Sequence, residues 1–129
     1  MSYQPPENIG DLLERYSAGE RHFPECDFEH HENLQNLNLN DVNFERSYIF
    51  SADFSGTSFR NANLKDCSFK CCQFINVDFT NADLSGSLLS GAIFVNCIFD
   101  NVNLDGADWY GHSLKTEEFL NVINSAEQK

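Results

Sequence analysis

The chain of 129 residues reads as an all-β solenoid with a short α-helical cap at each end, and three observations predict it. A large apolar residue falls at every fifth position from Leu34 to Trp109: Leu34, Leu39, Phe44, Ile49, Phe54, Phe59, Leu64, Phe69, Phe74, Phe79, Leu84, Leu89, Phe94, Phe99, Leu104 and Trp109. Phe, Leu, Ile and Trp make up 31 of the 129 residues, so an unbroken series of sixteen is no accident of composition. Two residues before each stands a companion that is small or β-branched from Val42 onward, as at Ala52, Thr57, Cys67, Ser87 and Ala107. Two residues after stands a bend position rich in Gly (Gly56, Gly86, Gly91, Gly106, Gly111) and Asn (Asn36, Asn61, Asn76, Asn81, Asn96, Asn101).

The local physics follows from those positions. Residues two apart on an extended chain point to the same side, so the small companion and the large residue both face inward. The residue between them faces out, and there the sequence places Asn43, Asp53, Asn63, Asp78, Asp83, Asn103 and Asp108. The next inward residue comes after three positions rather than two, so the chain must bend once per five residues. Gly and Asn are the residues that tolerate positive φ at such a bend. A period of five matches neither an α-helix nor a flat strand; it describes a coil with regular corners.

Taken in order, residues 1–31 form a cap and a lead-in, 32–111 the repeats, and 112–129 a second cap and tail. Ile9, Leu12, Leu13 and Tyr16 follow helical spacing, with Asn8 suited to the N-cap, Asp11 three residues on, and Gly19 suited to the stop. Phe23 and Phe28 are five apart but Phe28 and Leu34 six, which makes Arg21 to His31 an irregular partial coil with one inserted residue. At the far end, Thr116 caps a short helix whose Glu117 and Glu118 favour its positive end, and Phe119, Leu120 and Ile123 cover Trp109. Stacked arrays need such caps. The chain reads as a monomer; the alternative is that its apolar C-terminal edge meets a second copy.

Segments such as Ala52-Asp53-Phe54-Ser55-Gly56, Ala62-Asn63-Leu64-Lys65-Asp66 and Ala82-Asp83-Leu84-Ser85-Gly86 resemble the pentapeptide-repeat family, whose repeat reads A-[DN]-[LF]-x-x. The resemblance covers Glu32 to Gly111, 80 of the 129 residues. It implies a right-handed quadrilateral β-helix with four pentapeptides to a coil, so that sixteen repeats make four coils. Residues twenty apart should then stack, and the columns are uniform: Leu34, Phe54, Phe74, Phe94; Leu39, Phe59, Phe79, Phe99; Phe44, Leu64, Leu84, Leu104; Ile49, Phe69, Leu89, Trp109. Aromatic stacking at strand spacing favours such columns.

Composition bounds the function. The apolar content of 41%, with twelve Phe, is too high for a disordered acidic chain. A formal charge of −12 argues against direct nucleic-acid binding through phosphate neutralisation. No run of eighteen apolar residues is present to span a membrane. Met1 to Asn8 lacks the basic and apolar regions of a signal peptide, so a cytoplasmic location is expected. Five Cys, an odd number, read as reduced thiols.

Candidate chemistry is sparse. Cys26, Asp27, Glu29, His30, His31 and Glu32 form the one dense cluster of metal-ligating residue types, but their spacing matches no zinc motif, and they read as a solvated acidic loop with no metal and no cofactor. Cys67, Cys72 and Cys97 take the small inward position, where buried Cys behaves as a small hydrophobe. Cys71 falls at a bend and should be the exposed thiol; a Cys71–Cys72 redox switch would need a strained vicinal bond. Arg60, Lys65 and Lys70 share one repeat position on three successive faces and form a collar suited to an acidic partner, or merely offset nearby acids. No nucleophile stands beside a base, and an interior filled by Phe and Leu leaves no substrate cavity, so no enzyme is expected.

The resemblance implies a non-catalytic interaction or regulatory module with an unidentified protein partner. Most members of that family have no assigned activity; they abound in cyanobacteria, and some act in regulatory or developmental signalling. The alternative is DNA mimicry, in which family members occupy the DNA site of a type II topoisomerase such as gyrase. Four coils at about 4.8 Å span roughly 19 Å, a length of duplex that carries about eleven charges. Residues 32–111 hold ten acids and four bases, net −6, about half that density, with the other half of the −12 at the ends.

Overall fold

Sixteen consecutive bends set the architecture. In the computed structural model, which describes residues 2–28 and 33–125, every fifth residue from Asn36 to Gly111 has positive φ. Eleven of those positions are the Gly and Asn expected; the other five are Asp41, Arg46, Ser51, Asp66 and Cys71. Between bends the chain is extended, and residues twenty apart lie side by side in parallel: Asn38 with Ser58, Ser58 with Asp78, and Asp78 with Ile98. The chain therefore forms stacked coils of four repeats each.

The backbone hydrogen bonds repeat with the same period. The N–H of an inward large residue donates to the carbonyl nineteen residues on, as Leu39 N to Ser58 O (2.9 Å) and Phe79 N to Ile98 O (2.8 Å). The outward residue donates back, as Ser58 N to Leu37 O (2.9 Å). Where extension lasts longest the pairs form short parallel strands: β1 (Asp27–Phe28) with β2 (Tyr48–Ile49), and β3 (Gln73–Ile75) with β4 (Ile93–Val95).

Inside, the columns are filled. Phe54, Phe59, Leu64, Phe69, Phe74, Phe79, Leu84, Leu89, Phe94 and Leu104 are all buried; Phe99 and Trp109, in the last coil, are half-buried. The Phe54–Phe74–Phe94 rings stack with centroids 5.3 and 5.1 Å apart, and the Phe59–Phe79–Phe99 rings at 5.9 and 5.5 Å. Neighbouring columns meet edge to face, as Phe54 with Phe69 at 5.7 Å and 89°. Both arrangements are favoured by the ring quadrupole.

The N-terminal end is closed by α1 (Ile9–Ser17) and the lead-in coil. The Asn8 side chain caps α1 by accepting from Asp11 N–H at 2.8 Å, and Leu12 is fully buried. In the lead-in the register is 21 rather than 20, with Asp27 opposite Tyr48 and His22 opposite Asn43, as one extra residue between Phe28 and Leu34 requires. Phe23 thus lies beneath the Phe44 column and Phe28 beneath Ile49.

The C-terminal end departs from the simple cap expected. After β5 (Ala107–Trp109) the chain reverses at Tyr110–Gly111, both with positive φ, and returns antiparallel as β6 (His112–Leu114) before α2 (Thr116–Ser125). Two positive-φ residues make the turn that matches strand twist in a tight hairpin. The five-residue spacing runs on to Leu114 and Phe119, but the companions there would be His112 and Glu117, which no filled interior admits. Phe119 is instead buried from α2, against Trp109 (5.5 Å) and Phe94 (6.4 Å).

Candidate interaction surface

The interior has been made by small residues as much as by large ones. Thr57, Ser87, Cys67, Cys72 and Cys97, all companions, donate from Oγ or Sγ to the carbonyl of the large residue 23 positions earlier; Ser87 to Leu64 O is 2.8 Å and Cys67 to Phe44 O is 3.1 Å. The sequence reading of Cys as a small hydrophobe missed this donor role; the mixture of Ser, Thr and Cys at one position is the signal that could have revealed it. Burial raises the Cys26, Cys67 and Cys72 thiols to about 12 and Cys97 to about 11, so all four stay protonated at neutral pH. Cys71 alone is exposed.

Of the candidate metal cluster, Glu29 to Glu32 lie outside the described residues. Cys26 is buried and donates to Phe23 O at 3.2 Å, so its sulfur faces the lead-in coil. Among the described residues no three His, Cys, Asp or Glu side chains gather as a metal site. Arg60, Lys65 and Lys70 occupy equivalent positions on three successive faces, which a four-sided coil turns in different directions. Arg60 spans to Asp78 on the next coil at 3.0 Å. Together with the Thr80 hydroxyl and N–H, this ion pair holds the Asp78 carboxyl below the usual range against its partial burial. Lys65 and Lys70 make no ion pair among the described residues.

The faces differ in chemistry. The face of the Ile49, Phe69, Leu89 and Trp109 column carries Tyr48, Ser68, Leu88 and Asp108 along one edge and Phe50, Lys70, Ser90 and Tyr110 along the other. Tyr48 (53%), Phe50 (50%), Leu88 (37%) and Tyr110 (63%) are four of the six large apolar side chains exposed among the described residues. The remaining two, Ile93 and Ile98, lie on the next two faces of the last coil. Asp27 of the lead-in coil, beside Tyr48, and Asp108 are acids on this face among the described residues, and Asp108 is held by Ser90 Oγ and Gly111 N–H, both at 3.3 Å. The acids of the repeats otherwise lie on the other faces. Sequence reasoning, which followed the inward columns, did not find this grouping; the signal was the same twenty-residue stacking applied to outward positions.

A filled interior and regular outer faces define a repeat solenoid. The pentapeptide repeat region family model matches residues 21–109, and the chain belongs to the pentapeptide-repeat family. No curated protein sequence matches it significantly. Among solved structures it is similar to the pentapeptide repeat protein Rfr23 from the cyanobacterium Cyanothece 51142, with 17% identity, TM-score 0.53, and 78% of this chain and 95% of that one covered. HetL, a pentapeptide repeat protein involved in heterocyst differentiation regulation from the cyanobacterium Nostoc sp. strain PCC 7120, is 26% identical with TM-score 0.55; the match spans 78% of this chain but only 44% of HetL. A pentapeptide repeat protein of the Arabidopsis thaliana thylakoid lumen is 19% identical with TM-score 0.54, covering 82% of this chain and 77% of that one. No helix among the described residues is long and apolar enough to cross a membrane.

Proposed function

We propose that this chain is a non-catalytic interaction module that docks a protein partner on its apolar face, in a regulatory role. The observation that carries this reading is the gathering of Tyr48, Phe50, Leu88 and Tyr110 on the face of Lys70, which makes no ion pair among the described residues, on a protein whose formal charge is −12. Large exposed apolar side chains gathered on one face mark interaction sites. Lys65 lies on the adjacent face, while Arg60, on the opposite face, is engaged by Asp78. The likeness to HetL supports a regulatory role, and the Phe and Leu side chains that fill the described coils support binding over catalysis. The coils wind right-handed in this reading, the hand that connections between parallel strands adopt, and the chain works as a monomer in the cytoplasm.

DNA mimicry fits less well, because the repeats carry about half the charge density of a duplex and devote one face to apolar groups. The test is crosslinked partner capture in native cells with wild type, the double variant Phe50→Ser/Leu88→Asn, and a variant with Arg60, Lys65 and Lys70 neutralised. A specific partner retained by wild type and lost from the double variant is expected. Capture that is indifferent to the apolar face would overturn the proposal.

A further inference from the structure

The two ends of the solenoid are finished differently, and the difference leaves a strand edge open. At the N-terminal end the lead-in coil pairs with one half of the first coil, and Tyr16 of α1 closes over the other half, its hydroxyl donating to Asn40 O at 2.8 Å. At the C-terminal end the described residues close the edge on the faces of the Leu104 and Trp109 columns. There Gly106 N–H is taken by Leu114 O (2.7 Å) and Leu104 N–H by Thr116 Oγ1 (2.8 Å). On the face of the Phe59–Phe79–Phe99 column, the N–H groups of Phe99 and Asn101 and the carbonyl of Cys97 have no partner among the described residues. In each coil below, the same three groups are paired. Phe99 is half-buried where Phe59 and Phe79 are fully buried, and Ile98 beside it is 46% exposed. A recess of about 390 Å³ opens at this place, lined by Phe94, Cys97, Phe99, Ile123 and Asn124 among others.

We infer that this rim is a docking site for an extended segment of another protein, which adds one more strand to the stack. This deepens the interaction-module reading by naming a second surface and the chemistry that fits it. Unpaired strand edges recruit extended chains through main-chain hydrogen bonds, with side-chain pockets supplying specificity. The coils below dictate the occupant. Phe79 N–H and Asn81 N–H donate to the carbonyls of Ile98 and Asp100, which flank Phe99, each at 2.8 Å, and Ile98 N–H donates to Val77 O at 3.0 Å. A guest tripeptide in the same register presents two carbonyls to Phe99 and Asn101 and one N–H to Cys97. Its middle residue then lands on the Phe99 ring, as Phe99 lands on Phe79 at 5.5 Å. The guest is therefore an extended segment with a large, preferably aromatic, side chain between two residues whose backbone is free to bond.

The chain's own segment 76–81, Asn-Val-Asp-Phe-Thr-Asn, has that form and serves as the probe, acetylated and amidated. It is titrated into the uniformly ¹⁵N-labelled full chain and followed by amide chemical shifts. Two further peptides act as controls: one N-methylated on Asp, which removes the N–H meant for Cys97, and one with Phe replaced by Asp. The expected result is saturable movement of the Phe99 and Asn101 amides with Kd on the order of 1 mM, weakened about tenfold or more by either change. No movement at about 5 mM peptide, equal response to all three peptides, or shifts on the apolar face instead would each overturn the proposal. So would movement of these amides with protein concentration alone, which would assign the rim to a second copy. The protein is the same in every arm, so folding does not confound the outcome. Partner capture through Phe50 and Leu88 is read separately, so either surface can fail without the other.

Discussion

Phe74 lies at the centre of the stacked rings, and its truncation measures what holds the solenoid together. Its ring contacts four others: Phe54 at 5.3 Å and Phe94 at 5.1 Å in the stack, Phe69 at 5.5 Å and Phe79 at 5.3 Å across columns. It is fully buried, with coils above and below. Phe74→Ala loses about 2–3 kcal/mol of transfer free energy. A cavity of roughly 100 Å³ between fixed coils adds about 2.4 kcal/mol at ~24 cal/mol per Å³. The expected cost is thus about 4–5 kcal/mol. Phe99→Ala removes the same atoms from the open last coil, where solvent fills the space and the ring is already half-exposed, so about 1–2 kcal/mol is expected. Phe74→Leu keeps most of the volume and falls between, chiefly through lost ring–ring contacts.

The assay is guanidinium unfolding followed both by circular dichroism and by the fluorescence of Trp109, the sole Trp, which packs against Phe119 at 5.5 Å. With a slope of about 3 kcal/mol per molar for a small domain, the two Ala variants should differ in midpoint by about 1 M. Coincidence of the two signals checks that the array unfolds as one unit. Equal costs for Phe74→Ala and Phe99→Ala, or a cost below about 2 kcal/mol for Phe74→Ala, would refute the idea that stacked burial between coils dominates stability.

In native protein at about pH 8, a thiol reagent followed by mass spectrometry should label Cys71 first and Cys97 slowly, with Cys26, Cys67 and Cys72 silent until unfolding, because only deprotonated thiols react and burial raises the latter three to about 12. Gly56 has φ +78 and an added Cβ would lie 2.1 Å from Asn36 Oδ1; any side chain must push the Asn36 amide aside, and Gly56→Ala carries a further cost of about 1–2 kcal/mol for the left-handed backbone that Asn largely escapes, so Gly56→Asn should melt above Gly56→Ala. Hydrogen bonds from the Thr116 N–H and hydroxyl hold the Asp105 carboxyl below its usual value. A depressed carboxyl stabilises above its unfolded pKa and loses that contribution as pH falls through the folded one, so the α2 attachment should loosen below about pH 4. The expected reading is a Thr116 amide protection factor, taken against intrinsic exchange at each pH, that falls below about pH 4 and is already lower in Asp105→Asn at neutral pH.

Most of the fold was legible because one physical rule, small–out–large–out–bend, acts at every repeat. The inward columns, the Asn8 cap with Asp11, and the 21-residue step in the lead-in all follow from counting. What counting could not see were places where a second rule intervened. The reversal at Tyr110–Gly111 occurs while the large-residue spacing still holds at Leu114 and Phe119, and only the size and polarity of His112 and Glu117 betray it. Asp41, Arg46, Ser51, Asp66 and Cys71 adopt positive φ because the coils on either side impose the bend, not because their side chains prefer it. The Arg60, Lys65 and Lys70 collar was visible as a shared repeat position, but a four-sided coil separates its members, whereas Tyr48, Phe50, Leu88 and Tyr110 fall on one side.

That apolar face carries a cost, which gives a sharper reason to assign it a role. At eight outward positions, Asn33, Asn38, Asn43, Asp53, Asn63, Asp78, Asp83 and Asn103, the side chain accepts the backbone N–H two residues on, at 2.9–3.1 Å. This local turn supports the bend that follows. Tyr48, Leu88, Ile93 and Ile98 stand at the same position and forgo the bond, while exposing apolar surface to water. Leu88→Asn should restore the bond to Ser90 N–H and raise stability by about 0.5–1 kcal/mol, the net worth of one such hydrogen bond. The same substitution should weaken partner capture through this face, the pattern expected where a surface is kept for function at the expense of stability. Denaturation midpoints and capture yields measured on the same preparation decide the matter. A Leu88→Asn protein that is less stable than wild type would show that Leu88 serves the fold and is not held on the surface for a partner.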